Sequence, residues 1–187
     1  MGIFKRLFGL FYKRRTKVKI LAVGLDNSGK TTLLKKLRPK KADLSTVPTV
    51  GYEFESFSKN GVAFDCVDMS GQSKYRNLWE HYFTDTDGVI FVVDATDKLR
   101  FVVVREELET MLSHQEFSRR KIPLLFFANK MDLHDAVTPN ELLATLQLDD
   151  LAHPWRIFAS NALRGEGLEE GVGWLVDAIA EHKTTAK

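Results

Sequence analysis

Residues 24–31 read Gly-Leu-Asp-Asn-Ser-Gly-Lys-Thr and lie between an apolar run and an amphipathic one. A glycine, four variable residues and Gly-Lys-Thr between a strand and a helix form a phosphate-binding loop, the P-loop. Its backbone N–H groups face phosphate oxygens, Lys30 reaches the β- and γ-phosphates, and the Thr31 hydroxyl binds Mg²⁺. A strand–helix turn with a chance lysine is the alternative, and the motif alone names neither base nor reaction. The predicted nucleotide-binding residues here are Asp26, Asn27, Ser28, Gly29, Lys30, Thr31 and Thr32.

Short β-rich runs alternate with helical segments along the rest of the chain. The alternation predicts an α/β fold with a mostly parallel, doubly wound sheet and therefore helices on both faces. One connection differs, because Asn60-Gly61 joins two strand runs directly, and both turn residues need a positive φ. The predicted sheet is therefore six-stranded and mixed, with one antiparallel pair in residues 52–68. The strand runs are Val18–Val23, Gly51–Phe57, Val62–Asp68, Gly88–Asp94, Ile122–Asn129 and Trp155–Ala159, and the helices lie near Gly29–Leu37, Tyr75–Phe83, Phe101–Ser113, Pro139–Leu146 and Leu168–His182.

Two further segments carry groups suited to a phosphate-bound metal ion. Asp68 ends a β-rich run, so its carboxylate can bind Mg²⁺ through water. Gly71 can bring a backbone N–H to the γ-phosphate, and Gln72 is the predicted catalytic residue, placed to orient the attacking water. In Pro-Thr-Val-Gly at residues 48–51, the Thr49 hydroxyl is predicted to bind Mg²⁺ and its amide to bind the γ-phosphate. Such a loop is ordered only while that phosphate is present.

The segment Asn-Lys-Met-Asp at residues 129–132 follows an apolar run and suits a guanine base. The Asp132 carboxylate can accept two hydrogen bonds from the guanine Watson–Crick edge, whereas adenine presents an acceptor there and would leave the carboxylate unpaired. The Lys130 stem can lie against the base plane, and Asn129 can tie this segment to the P-loop. Backbone amides after the last strand run are predicted to face the guanine carbonyl oxygen, and they belong to Ser160, Asn161 and Ala162.

These motifs, in this order and spacing, resemble those of small GTPases of the Ras superfamily. Three features narrow the resemblance to the Arf and Arf-like branch: the P-loop variant, the run Arg76–Phe83 and an amphipathic N-terminal extension. Ser70 stands where most Arfs carry glycine, and in this the chain resembles a ciliary member of the branch. The resemblance implies a P-loop NTPase of the small-GTPase fold that binds GTP or GDP with Mg²⁺ and hydrolyses GTP slowly. It implies a guanine-nucleotide exchange factor and a GTPase-activating protein. It also implies that the GTP form recruits the Bardet–Biedl coat complex in ciliary trafficking, at the cilium or basal body.

The formal net charge of +2 conceals a basic N-terminus. Residues 1–19 hold seven basic residues and no acidic one, whereas the other 20 basic residues face 25 acidic ones. Apolar and basic side chains fall on opposite helical faces there, which predicts an interfacial helix over residues 1–16 for an anionic membrane surface, followed by a GTPase domain over residues 17–187. A helix that packs on the core is the alternative. The predicted membrane-binding residues are Gly2, Ile3, Phe4, Leu7, Phe8 and Phe11.

Other anchors and compartments are disfavoured. There is no C-terminal cysteine to prenylate, and Gly2 is only a weak candidate for myristate because Arg6 stands where that signal wants Ser or Thr. Cys66 alone cannot form an internal disulfide, and no apolar stretch reaches the ~20 residues of a membrane span, so we expect a cytoplasmic, peripheral membrane protein. We also expect a monomer. Nucleic-acid partners are not expected, since the surface beyond the N-terminus is net acidic.

Two functions remain open: a regulated GTPase switch, and an interaction module that binds GTP without useful hydrolysis. Gln72 favours the switch. Asp26 puts an anion near the predicted γ-phosphate and Lys40–Gly51 contains no arginine, which favours slow intrinsic hydrolysis. A GTPase-activating protein would then supply the missing positive charge, an effect of ~10³–10⁵ in rate.

Overall fold

The computed structural model describes residues 17–38, 47–60 and 62–185. The predicted membrane helix over residues 1–16, with its membrane-binding residues, and Gly61 of the predicted turn lie outside the described residues. The strands are β1 (Lys17–Val23), β2 (Tyr52–Lys59), β3 (Val62–Met69), β4 (Gly88–Asp94), β5 (Leu124–Asn129) and β6 (Trp155–Ala159). The helices are α1 (Lys30–Leu37), α2 (Phe101–Ser113), α3 (Gln115–Arg120), α4 (Pro139–Leu146) and α5 (Leu168–Thr185), and 3₁₀ segments cover Ser73–Tyr82, Lys98–Arg100 and Leu148–Asp150.

The strands form one sheet in the order β2-β3-β1-β4-β5-β6. β2 and β3 pair antiparallel, while β3-β1, β1-β4, β4-β5 and β5-β6 pair parallel. Parallel neighbours need long crossover connections, and helices supply them. The mixed six-stranded α/β sheet predicted from the sequence is therefore confirmed.

The central strand β4 explains why helices cover both faces of the sheet. All its residues are buried, and successive side chains point to opposite faces. Val89, Phe91 and Val93 belong to the core that includes α2 and α4. Ile90 and Val92 belong to a second core that includes α1 and α5. A strand buried on both faces reads as a continuous apolar run, which is how it was recognisable in the sequence.

The antiparallel hairpin lies at the edge of this sheet. Lys59 lies opposite Val62, so the turn between the strands contains two residues. Asn60 has a φ of 51°, the positive value that such a turn requires. The outer strand β2 is largely exposed, in contrast to the continuously buried β4.

The stretch predicted as a helix near Tyr75–Phe83 is a 3₁₀ helix over Ser73–Tyr82. Two of its side chains reach back to the loop that precedes it. Trp79 Nε1 donates to the Ser70 carbonyl oxygen at 3.1 Å, and Arg76 Nε donates to the Gly71 carbonyl oxygen at 2.9 Å. These bonds hold the segment on the loop.

Short elements and boundaries account for the other differences. The helix α3 was not predicted, because Phe117 is its one buried side chain and its cap is the ring nitrogen of His114, which accepts from the Glu116 amide. β5 begins at Leu124 rather than at Ile122, because Pro123 has no N–H to donate to a strand ladder. Within the described part of the chain, no helix has both the length and the apolar character needed to cross a membrane.

Candidate functional site

The P-loop lies at the edge of the sheet where the parallel strands β1, β3, β4 and β5 have their carboxyl ends, the usual place for ligands in an open α/β fold. Gly29 occupies the turn into α1 with a φ of 97°. A Cβ atom on Gly29 would lie 2.4 Å from Nδ2 of Asn129, so a side chain cannot fit between these two segments. The glycine therefore allows the predicted phosphate segment to pack on the predicted base segment.

Lys30 lies almost completely inside the P-loop. Its Nζ donates to the Leu25 carbonyl oxygen at 2.8 Å. Burial lowers the pKa of Lys30 to about 8, although the neighbouring carboxylates of Asp68 and Asp26 act in the opposite direction. A phosphate oxygen close to this ammonium would favour its charged form.

Three oxygen-bearing side chains meet beside Lys30. The Thr31 hydroxyl donates to Asp68 Oδ2 at 2.5 Å and lies 3.1 Å from the Thr49 hydroxyl. Burial raises the pKa of Asp68, while the Thr31 hydrogen bond and Lys30 lower it. The other carboxylate oxygen, Oδ1, is buried without a hydrogen-bond partner among the residues that the structure describes. Hydroxyl and carboxylate oxygens are the ligands Mg²⁺ prefers, so this set fits a site that phosphate oxygens and water would complete.

These segments enclose a cleft of about 360 Å³. Gly71 packs so closely on the P-loop that a Cβ atom there would lie 2.2 Å from the backbone nitrogen of Asp26. Gln72, the predicted catalytic residue, follows Gly71 and is only partly buried. The cleft brings together most of the predicted phosphate and metal residues, namely Asp26, Asn27, Gly29, Lys30, Thr31, Thr32, Thr49, Gly71 and Gln72.

Asn129 joins three parts of the predicted base site. Its Nδ2 donates to the Ser28 carbonyl oxygen at 2.8 Å, which is the tie to the P-loop expected from the sequence. Its Oδ1 accepts from the Ala162 amide at 3.0 Å and from the Ser160 hydroxyl at 3.2 Å. Asn129 is buried, so these bonds fix the relative positions of the P-loop, β5 and the loop after β6.

The next residues of this segment face outward. Lys130 has a φ of 67°, and its Nζ donates to Asp94 Oδ2 at 2.6 Å. Burial alone would raise the pKa of Asp94, but the bonds from Lys130 and Thr96 lower it below its usual value. The Asp132 side chain is exposed, where a base could reach it.

The amides of residues 160–162 already have protein acceptors. They donate to the carbonyl oxygens of Ala128 and Glu166 and to Oδ1 of Asn129, at 2.8, 3.2 and 3.0 Å. Recognition of the guanine carbonyl oxygen by these amides therefore stays a prediction.

Sequence reasoning missed two charged side chains of the site, Asp94 and Arg100. Asp94 ends an apolar strand run as Asp68 does, so that pattern was a visible signal for it. Arg100 carries no motif, and it donates from Nη1 to Asp26 Oδ1 at 3.0 Å. The Asp26 carboxylate, expected beside the γ-phosphate, is thus engaged by an arginine from the start of α2.

Comparisons with known proteins agree with this arrangement. The model of the ADP-ribosylation factor family matches residues 3–179. Two curated relatives carry the name ADP-ribosylation factor-like protein 6. The relative from Danio rerio is 49% identical over 186 residues, which cover 98% of this chain and 100% of that protein. The relative from Caenorhabditis elegans is 40% identical and covers 97% of each chain.

A solved structure shows the same fold. It is described as the Arl6 BBS3 small GTPase from Trypanosoma brucei with bound nucleotide analogue GppNp. The match has a TM-score of 0.85 and 45% sequence identity, and it covers 89% of this chain and 99% of that one. The likeness therefore includes nearly all of the chain in which the predicted site lies.

Proposed function

This chain belongs to the ADP-ribosylation factor family of small GTPases, which bind and hydrolyse GTP, and on that premise we propose a membrane-coupled switch for ciliary trafficking. In this proposal residues 17–187 form the GTPase domain, and residues 1–16 bind an anionic membrane surface when GTP is bound. The GTP form recruits an effector coat, the Bardet–Biedl complex. An exchange factor loads GTP, and a GTPase-activating protein accelerates its slow hydrolysis.

The observation that carries the proposal is the meeting of three separate segments at one cleft. Thr49 and Gly71 belong to different segments, and both contact the P-loop. Thr49 does so at the Thr31 hydroxyl, and Gly71 at the backbone of Asp26. A γ-phosphate held by their two amides would tie these segments together, and GDP lacks that group. Only such a difference in affinity between two conformations can drive a switch.

The chemistry assigned to the site is positioning and charge neutralisation. Lys30 and the P-loop amides hold the β- and γ-phosphates, and Gln72 orients the attacking water. Thr31, Thr49 and, through water, Asp68 would hold Mg²⁺, which supplies positive charge at the phosphates when bound. The Asp132 carboxylate selects guanine.

A groove between the hairpin and α5 supports coupling to the N-terminus. The groove has a volume of about 310 Å³. Its apolar lining includes Phe64 from the hairpin and Trp174 from α5. Three acidic residues and two basic ones also line it, namely Glu169, Glu170, Asp177, Lys59 and Arg156. We assign this groove to residues 1–16 in the GDP form, with their apolar face on its apolar lining. The acidic side chains outnumber the basic ones at the groove, which favours docking of the basic segment.

The hairpin is the element that could release the segment. In the Arf family the corresponding hairpin slides by two residues when GTP binds. Side chains alternate along a strand with period two, so a two-residue slide keeps every side chain on its own face, whereas a one-residue slide would expose the core-facing set. The slide would also separate Lys59 from Glu169, whose Nζ and Oε1 lie 2.9 Å apart across the groove.

A partly exposed group of aromatic rings beside the Thr49 segment is the proposed effector surface. The rings of Tyr52, Phe54 and Tyr82 pack edge to face, with centroids 5.2–5.9 Å apart. Phe54 is 66% exposed. Aromatic side chains anchor many protein interfaces, and this group adjoins the segment that a γ-phosphate would reposition.

Vesicle binding tests the proposal. The chain loaded with a non-hydrolysable GTP analogue should bind anionic vesicles more tightly than the GDP form. Deletion of residues 1–15, or Phe4→Glu with Phe8→Glu, should remove the difference. Leu133→Glu is the matched control, because Leu133 is an exposed apolar residue of the GTPase domain and its loss should change nothing. Equal vesicle binding in both nucleotide states would refute the coupling.

Pull-down from a ciliated-cell extract tests the effector. The GTP-analogue form should retain the coat complex and the GDP form should not. Phe54→Ala should abolish capture without changing nucleotide affinity, while Leu163→Ala, which removes another exposed apolar side chain, should preserve it. Capture by both nucleotide forms would refute GTP-dependent recruitment.

A further inference from the structure

Arg100 connects the start of α2 to the P-loop. Its Nη1 donates to Asp26 Oδ1 at 3.0 Å, and its Nη2 donates to the Asp26 carbonyl oxygen at 3.4 Å. Its Nε donates to Asp97 Oδ2 at 2.5 Å. One guanidinium therefore holds both the side chain and the backbone of a P-loop residue, with Asp97 as the second carboxylate that fixes the guanidinium.

Asp26 lies at the part of the cleft where the γ-phosphate is predicted to bind. Asp26 is among the residues that line the cleft, and its backbone packs against Gly71, whose backbone N–H is predicted to bind the γ-phosphate. Its charge is also felt by Lys30, whose pKa the Asp26 carboxylate raises. A carboxylate free to turn into this cleft would oppose the negative charge of a third phosphate.

We infer that Arg100 is a positioning residue that keeps the Asp26 carboxylate turned away from the phosphate cleft and so allows the site to accept GTP. The inference rests on the proposed nucleotide site. The third phosphate brings its negative charge to the Gly71 side of the cleft, where Asp26 lies. Loss of Arg100 should therefore weaken binding of GTP more than binding of GDP.

A merely structural role for the ion pair makes a different prediction. The side chains of Arg100 and Asp26 are 33% and 47% exposed, and pairs with such exposure contribute little to folding stability. A structural tie would thus change the affinities for GDP and GTP by similar factors. It would also give no reason for an uncharged residue at position 26 to restore GTP binding.

The test compares Arg100→Ala, Asp26→Asn and the double variant. Dissociation constants for GDP and for a non-hydrolysable GTP analogue are measured with Mg²⁺ on the full chain. The GTP:GDP affinity ratio should fall on the order of tenfold in Arg100→Ala. It should return to within about twofold of the parent in the double variant, because the carboxylate that Arg100 restrains is gone.

Arg105→Ala is the matched control. Arg105 lies on α2, which begins directly after Arg100, and pairs with Glu109 at 2.7 Å, so this variant removes an arginine and an ion pair away from the cleft. Its affinity ratio should equal that of the parent. If circular dichroism shows that Arg100→Ala is unfolded, Arg100→Gln takes its place in the single and in the double variant. Arg100→Gln removes the charge and retains most of the side chain.

Three results would overturn the inference. The first is an equal loss of affinity for both nucleotides in Arg100→Ala. The second is a double variant whose GTP:GDP ratio stays as low as that of Arg100→Ala. The third is an unchanged ratio with a lower single-turnover rate, which would make Arg100 a catalytic cation. A parent chain that binds neither nucleotide would refute the nucleotide site itself, and the positioning role with it.

Discussion

The two halves of the proposed nucleotide site are built differently. In the base half, Asn129 is buried and bonds to the P-loop and to the loop after β6. In the phosphate half, the described part of the segment that carries Thr49 reaches the P-loop through a hydroxyl contact of 3.1 Å. The neighbours Val47 and Val50 of this segment are 82% and 70% exposed. The base half is fixed by several internal bonds, whereas the Thr49 segment of the phosphate half is held to the P-loop more sparingly among the residues that the structure describes.

The difference matches the two tasks of a switch. Selecting a base requires polar groups that are already in place, because reorganisation would reduce the penalty for the wrong base. Changing shape requires a segment whose position the ligand decides. Substitutions in the base half should therefore affect GDP and GTP alike, and substitutions in the phosphate half should separate them.

Gln72→Leu should give the largest effect. Gln72 is assigned to the attacking water and not to binding, so affinities for GDP and GTP should both persist. Hydrolysis stimulated by an activating extract should fall on the order of 10³-fold, because the water loses its orienting group. Single-turnover hydrolysis with and without the extract measures this. An unchanged stimulated rate would remove Gln72 from the mechanism.

Asp132→Asn tests the base half. The substitution turns one acceptor into a donor, so GDP and GTP should both bind on the order of 10²–10³-fold more weakly. Xanthine nucleotides should gain affinity, because their extra carbonyl can accept from the new amide. Titrations with GDP, GTP and XDP measure both changes, and Asp135→Asn, an exposed carboxylate three positions away, is the control. Parent-like affinity for GDP would refute the base assignment.

The sequence predicted the central fold and the site motifs because both are local patterns. Strand β4 and helix α2 begin and end where the apolar pattern predicts, since each has a continuous or periodic buried face. The P-loop motif likewise lies within eight consecutive residues. Local patterns of this kind need no knowledge of distant contacts.

Contacts between distant residues explain what was missed. The pair Arg100–Asp26 joins residues 74 positions apart, and Lys130–Asp94 joins residues 36 apart. Neither pairing leaves a periodic or spaced signal in the chain, although the position of Asp94 at a strand end is visible. The same reasoning applies to helix α3, which buries only Phe117 and so shows no apolar periodicity.

Thr31→Asn sharpens the phosphate half. The substitution removes the Thr31 hydroxyl, which bonds Asp68 and lies near Thr49. This hydroxyl is a predicted Mg²⁺ ligand, and the third phosphate of GTP adds the most negative charge beside it. Affinity for GTP should therefore fall about 30-fold more than affinity for GDP. Nucleotide titrations with Mg²⁺ measure this, with Thr145→Asn on the exposed side of α4 as control. An equal loss for both nucleotides would count against the predicted role of Thr31.

The smallest predicted effect is a pH dependence of nucleotide affinity that arises from Lys30. This residue is assigned to the phosphates of both GDP and GTP. Burial lowers its pKa to about 8 in the nucleotide-free protein. Phosphate oxygens favour the ammonium form, so binding requires a proton that the free protein progressively lacks above that pH. Affinity for GDP should be constant below pH 7 and should fall about tenfold between pH 7 and pH 9, and the same factor should apply to GTP.

The nucleotide-free protein should respond to pH in the opposite sense. An unfolded lysine has the ordinary pKa of 10.5, so between about pH 8 and that value the unfolded chain binds more protons than the folded one. The contribution of Lys30 to folding stability therefore rises with pH over this window, while nucleotide affinity falls. Lys30→Arg separates these effects from other titrations, because an arginine stays charged throughout. Affinity that falls as steeply in Lys30→Arg as in the parent would show that another group takes up the proton.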